Sequence, residues 1–226
     1  MLPRETIATA AIPGGETLTL VSHGRDYIIM LGRDELMGTR MQFSEEQLAL
    51  LTLDRLSVHE PRVLIGGYGM GFTYRAALAR LAGRGQVVVA EVVPEILDWA
   101  KGPLAHLTGE TLADPAGEVV LADVAALIDD AIDGTSPRYD AILLDVDNGP
   151  DGIVREGNQR LYSTRGLRRT SDALNPGGVL AVWSAAPDNR FTARLKEAGY
   201  AVEVETVRAR PNNKGPRHTI WFARRP

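Results

Sequence analysis

A chain of 226 residues with 44% hydrophobic and 24% charged side chains has the proportions of a globular protein with one full core. Its net charge of −4 argues against nucleic acid as the main partner, and the absence of cysteine excludes disulfides, thiolate metal sites and cysteine nucleophiles. The scattered His23, His59, His106 and His218 lack the spacing of a zinc motif, so no metal is expected. No apolar run is long enough for a membrane span, and the N-terminus, MLPRETIATAAIPGG, does not read as a signal peptide; a cytoplasmic protein is expected.

Taken in chain order, residues 1–43 form a small β region. The runs 17–21 and 27–31 flank Ser22-His23-Gly24-Arg25-Asp26 and predict a hairpin. Residues 44–226 then read as one Rossmann-like domain. Ser44 with Gln47 three residues on fits a capping box, opening a helix through about residue 56. From residue 61 strand and helix alternate, which predicts a parallel sheet with right-handed crossovers. The strands fall at 62–65, 86–91, 118–122, 139–144 and 179–183. The helices fall at 71–82, 94–101, 124–132, 161–174 and 189–198. Asn175-Pro176-Gly177-Gly178 marks a sharp stop before the fifth strand. The last two strands, 201–207 and 219–223, are joined by a loop too short for a helix and must pair antiparallel. The fold class is therefore α/β, a mostly parallel sheet finished by a reversed hairpin, as in the class I AdoMet-dependent methyltransferases.

The segment RVLIGGYGMG (62–71) carries the functional signal. An apolar strand ends in Gly66, Gly67, Gly69 and Gly71, and a helix follows. Such a turn lets backbone approach a nucleotide-like ligand. The spacing is GxGxG; the dinucleotide fingerprint would need glycine at position 72, which is Phe72. Twenty residues past Gly71, Glu91 ends the next strand, placed for two ribose hydroxyls. Asp123 and Asp145 end further strands, and in an open α/β sheet that edge is the ligand crevice. Three carboxylates there suit a cation, such as the sulfonium of AdoMet or an amine. Asp123 is equally placed to cap the helix after it, and Asp145–Pro150 has the composition of a turn. Phe43, Trp99, Tyr162 and Trp183 are either core or lining of an acceptor pocket.

On the segments VLIGGYGMGFTYRAAL, VVVAEVVPEILDWAKGPL, YDAILLDVDNGP and LYSTRGLRRTSDALNPGGVLAVWS, the chain resembles the spermidine synthase (aminopropyltransferase) family over roughly residues 15–205. The resemblance implies Glu91 for the ribose, Asp123 near the adenine and Asp145 as the catalytic acid beside the attacking amine. It also implies a small N-terminal β-domain and a homodimer. Three departures stand out. Met70 occupies the place of the aspartate that holds the ammonium of decarboxylated AdoMet in that family, and Asp147 stands shifted from the family's second loop acid. The YHE-like segment is replaced by Phe43-Ser44-Glu45.

These readings imply a transferase whose glycines, with Met70, Glu91 and Asp123, bind the cofactor, while Asp145 and Asp147 do the chemistry. Asn148 and Tyr162 would bind a small-molecule acceptor. Loss of the acid at Met70 relieves repulsion against the carboxylate of intact AdoMet, so the sequence leans to methyl transfer. Aminopropyl transfer from decarboxylated AdoMet, with another group replacing the missing acid, is the alternative. A non-catalytic adenosyl-binding or scaffold protein is the third.

Overall fold

In the computed structural model, residues 3–12, 16–146, 149–150 and 158–226 are described. The N-terminal part is a four-stranded antiparallel meander, β1 (Glu5–Ala11), β2 (Thr17–His23), β3 (Asp26–Leu31) and β4 (Asp34–Gly38). The expected hairpin is its centre, with Leu20 opposite Ile29 and Val21 opposite Ile28. The two outer strands escaped the sequence reading because they bury so little. In β1 only Ala10 is buried, so no alternation of apolar and polar residues marks it.

Helix α1 (Phe43–Leu53) follows, but not through a capping box. Its cap is Gln42, already in helical conformation, and no side chain caps it. Ser44 is instead fully buried and bonded through its hydroxyl to His218 Nδ1 at 2.8 Å. A long-range partner has taken the oxygen that the local motif would have used.

The rest is a seven-stranded sheet. Its strands are β5 (Arg62–Gly66), β6 (Gln86–Glu91), β7 (Gly117–Leu121), β8 (Tyr139–Leu144), β9 (Leu174–Ser184), β10 (Ala201–Arg210) and β11 (Lys214–Arg224). Their spatial order is β10-β11-β9-β8-β5-β6-β7. The five strands from β7 to β9 are parallel, while β11 runs antiparallel to β9 and β10 antiparallel to β11. The reversed hairpin expected at the C-terminus is present. Strand β5 has β6 on one side and β8 on the other, so the chain turns first one way and then the other from it. That switch point opens a crevice at the carboxyl ends of β5 and β8.

Helices α2 (Phe72–Leu81), α3 (Pro94–Lys101), α5 (Val124–Asp133) and α8 (Asn189–Glu197) lie close to where the sequence puts them. The short α4 (Ala105–Thr108) and the 3-10 turn Gly109–Ala113 fill a stretch read as loop. The helix expected over 161–174 is two pieces, α6 (Gln159–Tyr162) and α7 (Thr164–Ala173). Ser163 breaks it with ψ 154° and accepts a hydrogen bond from Gly166 N, which starts α7.

The central strands are buried on both faces, and alternate residues enter two apolar layers. Val63, Ile65, Val89 and Leu143 pack with α1, α2, α3 and the small sheet, including Leu20 and Ile29. Leu64, Val88, Ile142 and Leu180 pack against α5, α7 and α8. Among the described residues no helix is long and apolar enough to cross a membrane.

Candidate active site

The crevice at the switch point is a cleft of about 970 Å³, including the solvent at its mouth. One wall is the edge of the large sheet: Gly67, Gly69, Glu91, Asp123 and Asp145 all line it. The opposite wall comes from the small sheet, through Ile12, Leu18, Ile29, Leu36 and Met37. A mostly apolar cleft with a few converging polar groups is the usual form of a small-molecule site.

The glycine turn is shaped by contact with the neighbouring strand. Gly67 has φ +88°, and a Cβ there would lie 2.5 Å from the carbonyl oxygen of Asp145. Asp145 N in turn donates to Gly66 O at 3.0 Å. Only a glycine lets the ends of β5 and β8 meet this closely. Gly69, at φ +53°, passes against the Met37 side chain of the small sheet, which closes the turn from above.

Glu91 locks that turn to the next strand. Its Oε2 accepts from Tyr68 N at 2.9 Å, and its Oε1 accepts from Val92 N and Val93 N at 2.8 Å each. A carboxylate has roughly four acceptor sites, so three backbone bonds leave about one facing the cleft. The residue is thus a brace for the glycine loop with an acceptor site to spare. Asp123 is similarly divided. Its Oδ1 caps α5 by accepting from Ala125 N at 2.9 Å, and its Oδ2 faces Arg160 Nη2 at 3.3 Å.

Asp145 sits at the floor. The Thr73 hydroxyl, in the first turn of α2, donates to its Oδ2 at 2.7 Å and lies 3.2 Å from the carbonyl oxygen of Glu45. Removal from solvent pushes the Asp145 carboxyl up to about 6, against the lowering effect of the Thr73 hydrogen bond. A group that titrates there is poised to take a proton near neutral pH. Glu45, from the first turn of α1, lines the same cleft and is only 6% exposed. Burial, then the nearby charge of Asp145, then that of Glu46, hold its carboxyl well above the usual range. Trp183, at the end of β9, completes this side and stacks edge-on with His218, ring centres 4.7 Å apart.

None of the protein-family models matches this chain. A polyamine aminopropyltransferase from Mycobacterium tuberculosis is 31% identical over 147 residues, 62% of this chain and 27% of that protein. Another, from a Synechococcus species, is 31% identical over 163 residues, 69% of this chain and 49% of its own length. The chain thus spans half or less of the length of these curated relatives. A spermidine synthase crystallised in complex with the transition state analogue AdoDATO has the same fold, with a TM-score of 0.72 at 17% identity, over 98% of this chain and 72% of that one. The chain is spermidine synthase-like. The two sequence matches are to proteins named for aminopropyl transfer, and neither supports the leaning toward methyl transfer.

Against this spermidine synthase-like frame, the sequence-predicted residues divide cleanly. Gly67, Gly69, Glu91, Asp123 and Asp145 come together on the cleft wall. Gly66 and Gly71 shape the turn without lining it; Gly66 ends β5 and Gly71, at φ +74°, caps α2. Met70, expected at the cofactor, is fully buried in the apolar layer shared with Leu20 and Leu48, and it does not line the cleft. Tyr162, expected at the acceptor, lies in the opposite layer, edge-on to Phe191 at 5.8 Å. Its apolar body found a core site that α6 supplies. Trp99 is likewise core, while Trp183 does line the cleft. Asp147 and Asn148 lie outside the described residues. The sequence reading missed Glu45, Thr73 and the apolar wall from the small sheet. The only signal for Glu45 was its place in Phe43-Ser44-Glu45, where the family's YHE-like segment would fall.

Proposed function

We propose that this spermidine synthase-like chain is an AdoMet-type group transferase that moves an aminopropyl group from decarboxylated AdoMet to a small amine. The observation that carries the reading is Asp145, a carboxyl titrating at about 6 on the floor of a cleft at the sheet's switch point, with the buried Glu45 beside it. The donor fits the residues present. The Gly67–Gly69 turn leaves room for its backbone-proximal part, Glu91 has an acceptor site for the ribose, and Asp123 faces the adenine. Two carboxyls at the transfer end suit cations and repel an anionic tail.

The acceptor amine, with a pKa of roughly 10, must lose a proton to attack. Asp145 takes that proton as the nitrogen bonds to the donor's methylene. The carbon–sulfur bond breaks with its electron pair going to sulfur, and the sulfonium becomes the neutral thioether methylthioadenosine. Thr73 fixes the Asp145 rotamer through its hydrogen bond, which keeps the accepting oxygen on the acceptor's path. The apolar wall of Ile12, Leu18, Ile29 and Leu36 excludes water from the reacting atoms. By the same family reasoning the enzyme works in the cytoplasm as a homodimer.

The test is incubation of the purified chain with decarboxylated AdoMet and a diamine, with products separated by chromatography. Methylthioadenosine formed in equal amount with an extended polyamine is the expected result. S-adenosylhomocysteine from intact AdoMet would return the reading to methyl transfer, and binding without any product would make the chain a non-catalytic adenosyl binder.

A further inference from the structure

Glu45 has no evident structural reason to be charged. Its Oε2 is buried without a hydrogen-bond partner among the described residues, and the side chain reaches the cleft that holds Asp145. The titratable groups acting on it are Asp145, at the end of β8, and Glu46, on its own helix, and both are acids. A carboxyl so placed is either protonated or faced by a cation, because an uncompensated buried charge is costly. An apolar or amide side chain of the same size would fill the space without that cost. Meanwhile the glycine turn, where the sequence resemblance leads one to look for an ammonium-binding acid, offers only Met70, and that side chain is withdrawn into the core.

Resting on the aminopropyl reading above, we infer that Glu45, reaching over from α1, is the seat of a substrate's primary ammonium in the cleft that holds Asp145. The acid that meets the ammonium stands on α1 and not in the glycine turn. Burial and the neighbouring Asp145 and Glu46 favour the protonated form of Glu45; an ammonium arriving beside it favours the charged form and makes a desolvated ion pair. A ligand carboxylate at the same place meets two acids, so the seat also discriminates against intact AdoMet. Both the donor's aminopropyl end and the acceptor amine carry this ammonium, and the experiment separates them.

Calorimetric titrations with decarboxylated AdoMet and with methylthioadenosine, which is the same nucleoside without the amine, are run in two buffers of different ionisation enthalpy. The wild-type chain, Glu45→Gln and Glu45→Asp are compared. In the wild type, decarboxylated AdoMet is expected to release a proton on binding and methylthioadenosine none. Glu45→Gln should abolish that release and weaken decarboxylated AdoMet by about tenfold or more, leaving methylthioadenosine within about twofold, while Glu45→Asp restores the release. That outcome places the donor's ammonium on Glu45. Unchanged donor binding with a tenfold rise in the diamine KM places the acceptor's ammonium there instead, and supports the seat equally. The substitution to glutamine removes a buried acid without changing size, so folding is checked by its melting temperature, and the aspartate variant gives a second charged form. If Glu45→Gln changes neither donor binding nor diamine KM while wild-type transfer proceeds, the inference is wrong and the transferase reading stands. If the wild type does not bind methylthioadenosine, the adenosyl reading fails and the seat falls with it.

Discussion

The two ends of the cleft were assembled in different ways. At the nucleoside end, the glycine turn, Glu91 and Asp123 belong to consecutive strand–turn–helix units; Glu91 and Asp123 each accept from backbone N–H groups one or two residues on, and Glu91 also holds Tyr68 N of the preceding unit. At the transfer end, Asp145 from β8 meets Thr73 from α2, Glu45 from α1 and Trp183 from β9, residues up to 138 positions apart in the chain. The first end is a repeated local arrangement, which the proposed function assigns to an adenosyl group. The second is a long-range meeting of side chains that only the tertiary fold creates, and there the chain differs from the pattern it resembles.

If that division is right, the largest effect belongs to the transfer end. Asp145→Asn should lower turnover by about 10²–10⁴-fold and leave methylthioadenosine affinity within about threefold. The same residue sets the pH profile. Below pH 6 the carboxyl is protonated and cannot accept, so kcat/KM should rise with pH and level off above about 6. The variant also reports on stability. Because the folded carboxyl titrates at about 6, above its ordinary 3.8, its contribution to stability is complete below pH 3.8 and lost as pH rises through 6. Asp145→Asn should therefore gain on the wild type, by up to roughly 3 kcal/mol, between those values, as read by urea melts at pH 4 and pH 7. Turnover that survives the substitution would remove Asp145 from the mechanism and merge the two ends into one binding surface.

The nucleoside end should break differently, through structure as well as affinity. Glu91→Gln replaces one oxygen of a carboxylate that serves three backbone N–H groups, so at least one buried donor loses its partner. A loss of about 3 kcal/mol is expected, a fall of roughly 6–12 °C in melting temperature for a chain of this size. Nucleoside affinity should drop by about tenfold or more, equally for decarboxylated AdoMet and methylthioadenosine, because the ribose is common to both. Unequal losses would show that Glu91 senses the amine, and the comparison between the two ends would then be drawn in the wrong place.

This division also explains what could be read from the sequence. The strand–helix alternation, the reversed C-terminal hairpin and the strand-end acids are all local patterns of period, turn and cap, and they were legible. Strand β1, with only Ala10 buried, gave no period to read. The capping box at Ser44 failed because His218, 174 residues away, claims the hydroxyl. Glu45 was visible as a residue but not as a site, since nothing nearby in sequence says that its helix lies across the mouth of β8. Met70 is the converse case: its position in the motif was legible, while its direction was not.

Met70 gives the smallest effect and a sharp test of that last point. A cofactor-binding methionine and a core methionine make opposite demands on a leucine replacement. In the core, Met70→Leu nearly conserves volume and apolar character, so it should cost less than about 1.5 kcal/mol and leave both donor affinity and the preference between decarboxylated and intact AdoMet unchanged. At the ligand, the loss of a flexible thioether would instead alter that preference. The side chain is wholly buried among Leu20, Leu48 and their neighbours, so selectivity should be insensitive to its identity and sensitive to Glu45. A change in donor preference on Met70→Leu, measured by competition between the two nucleosides, would return selectivity to the glycine turn and restore the case for methyl transfer.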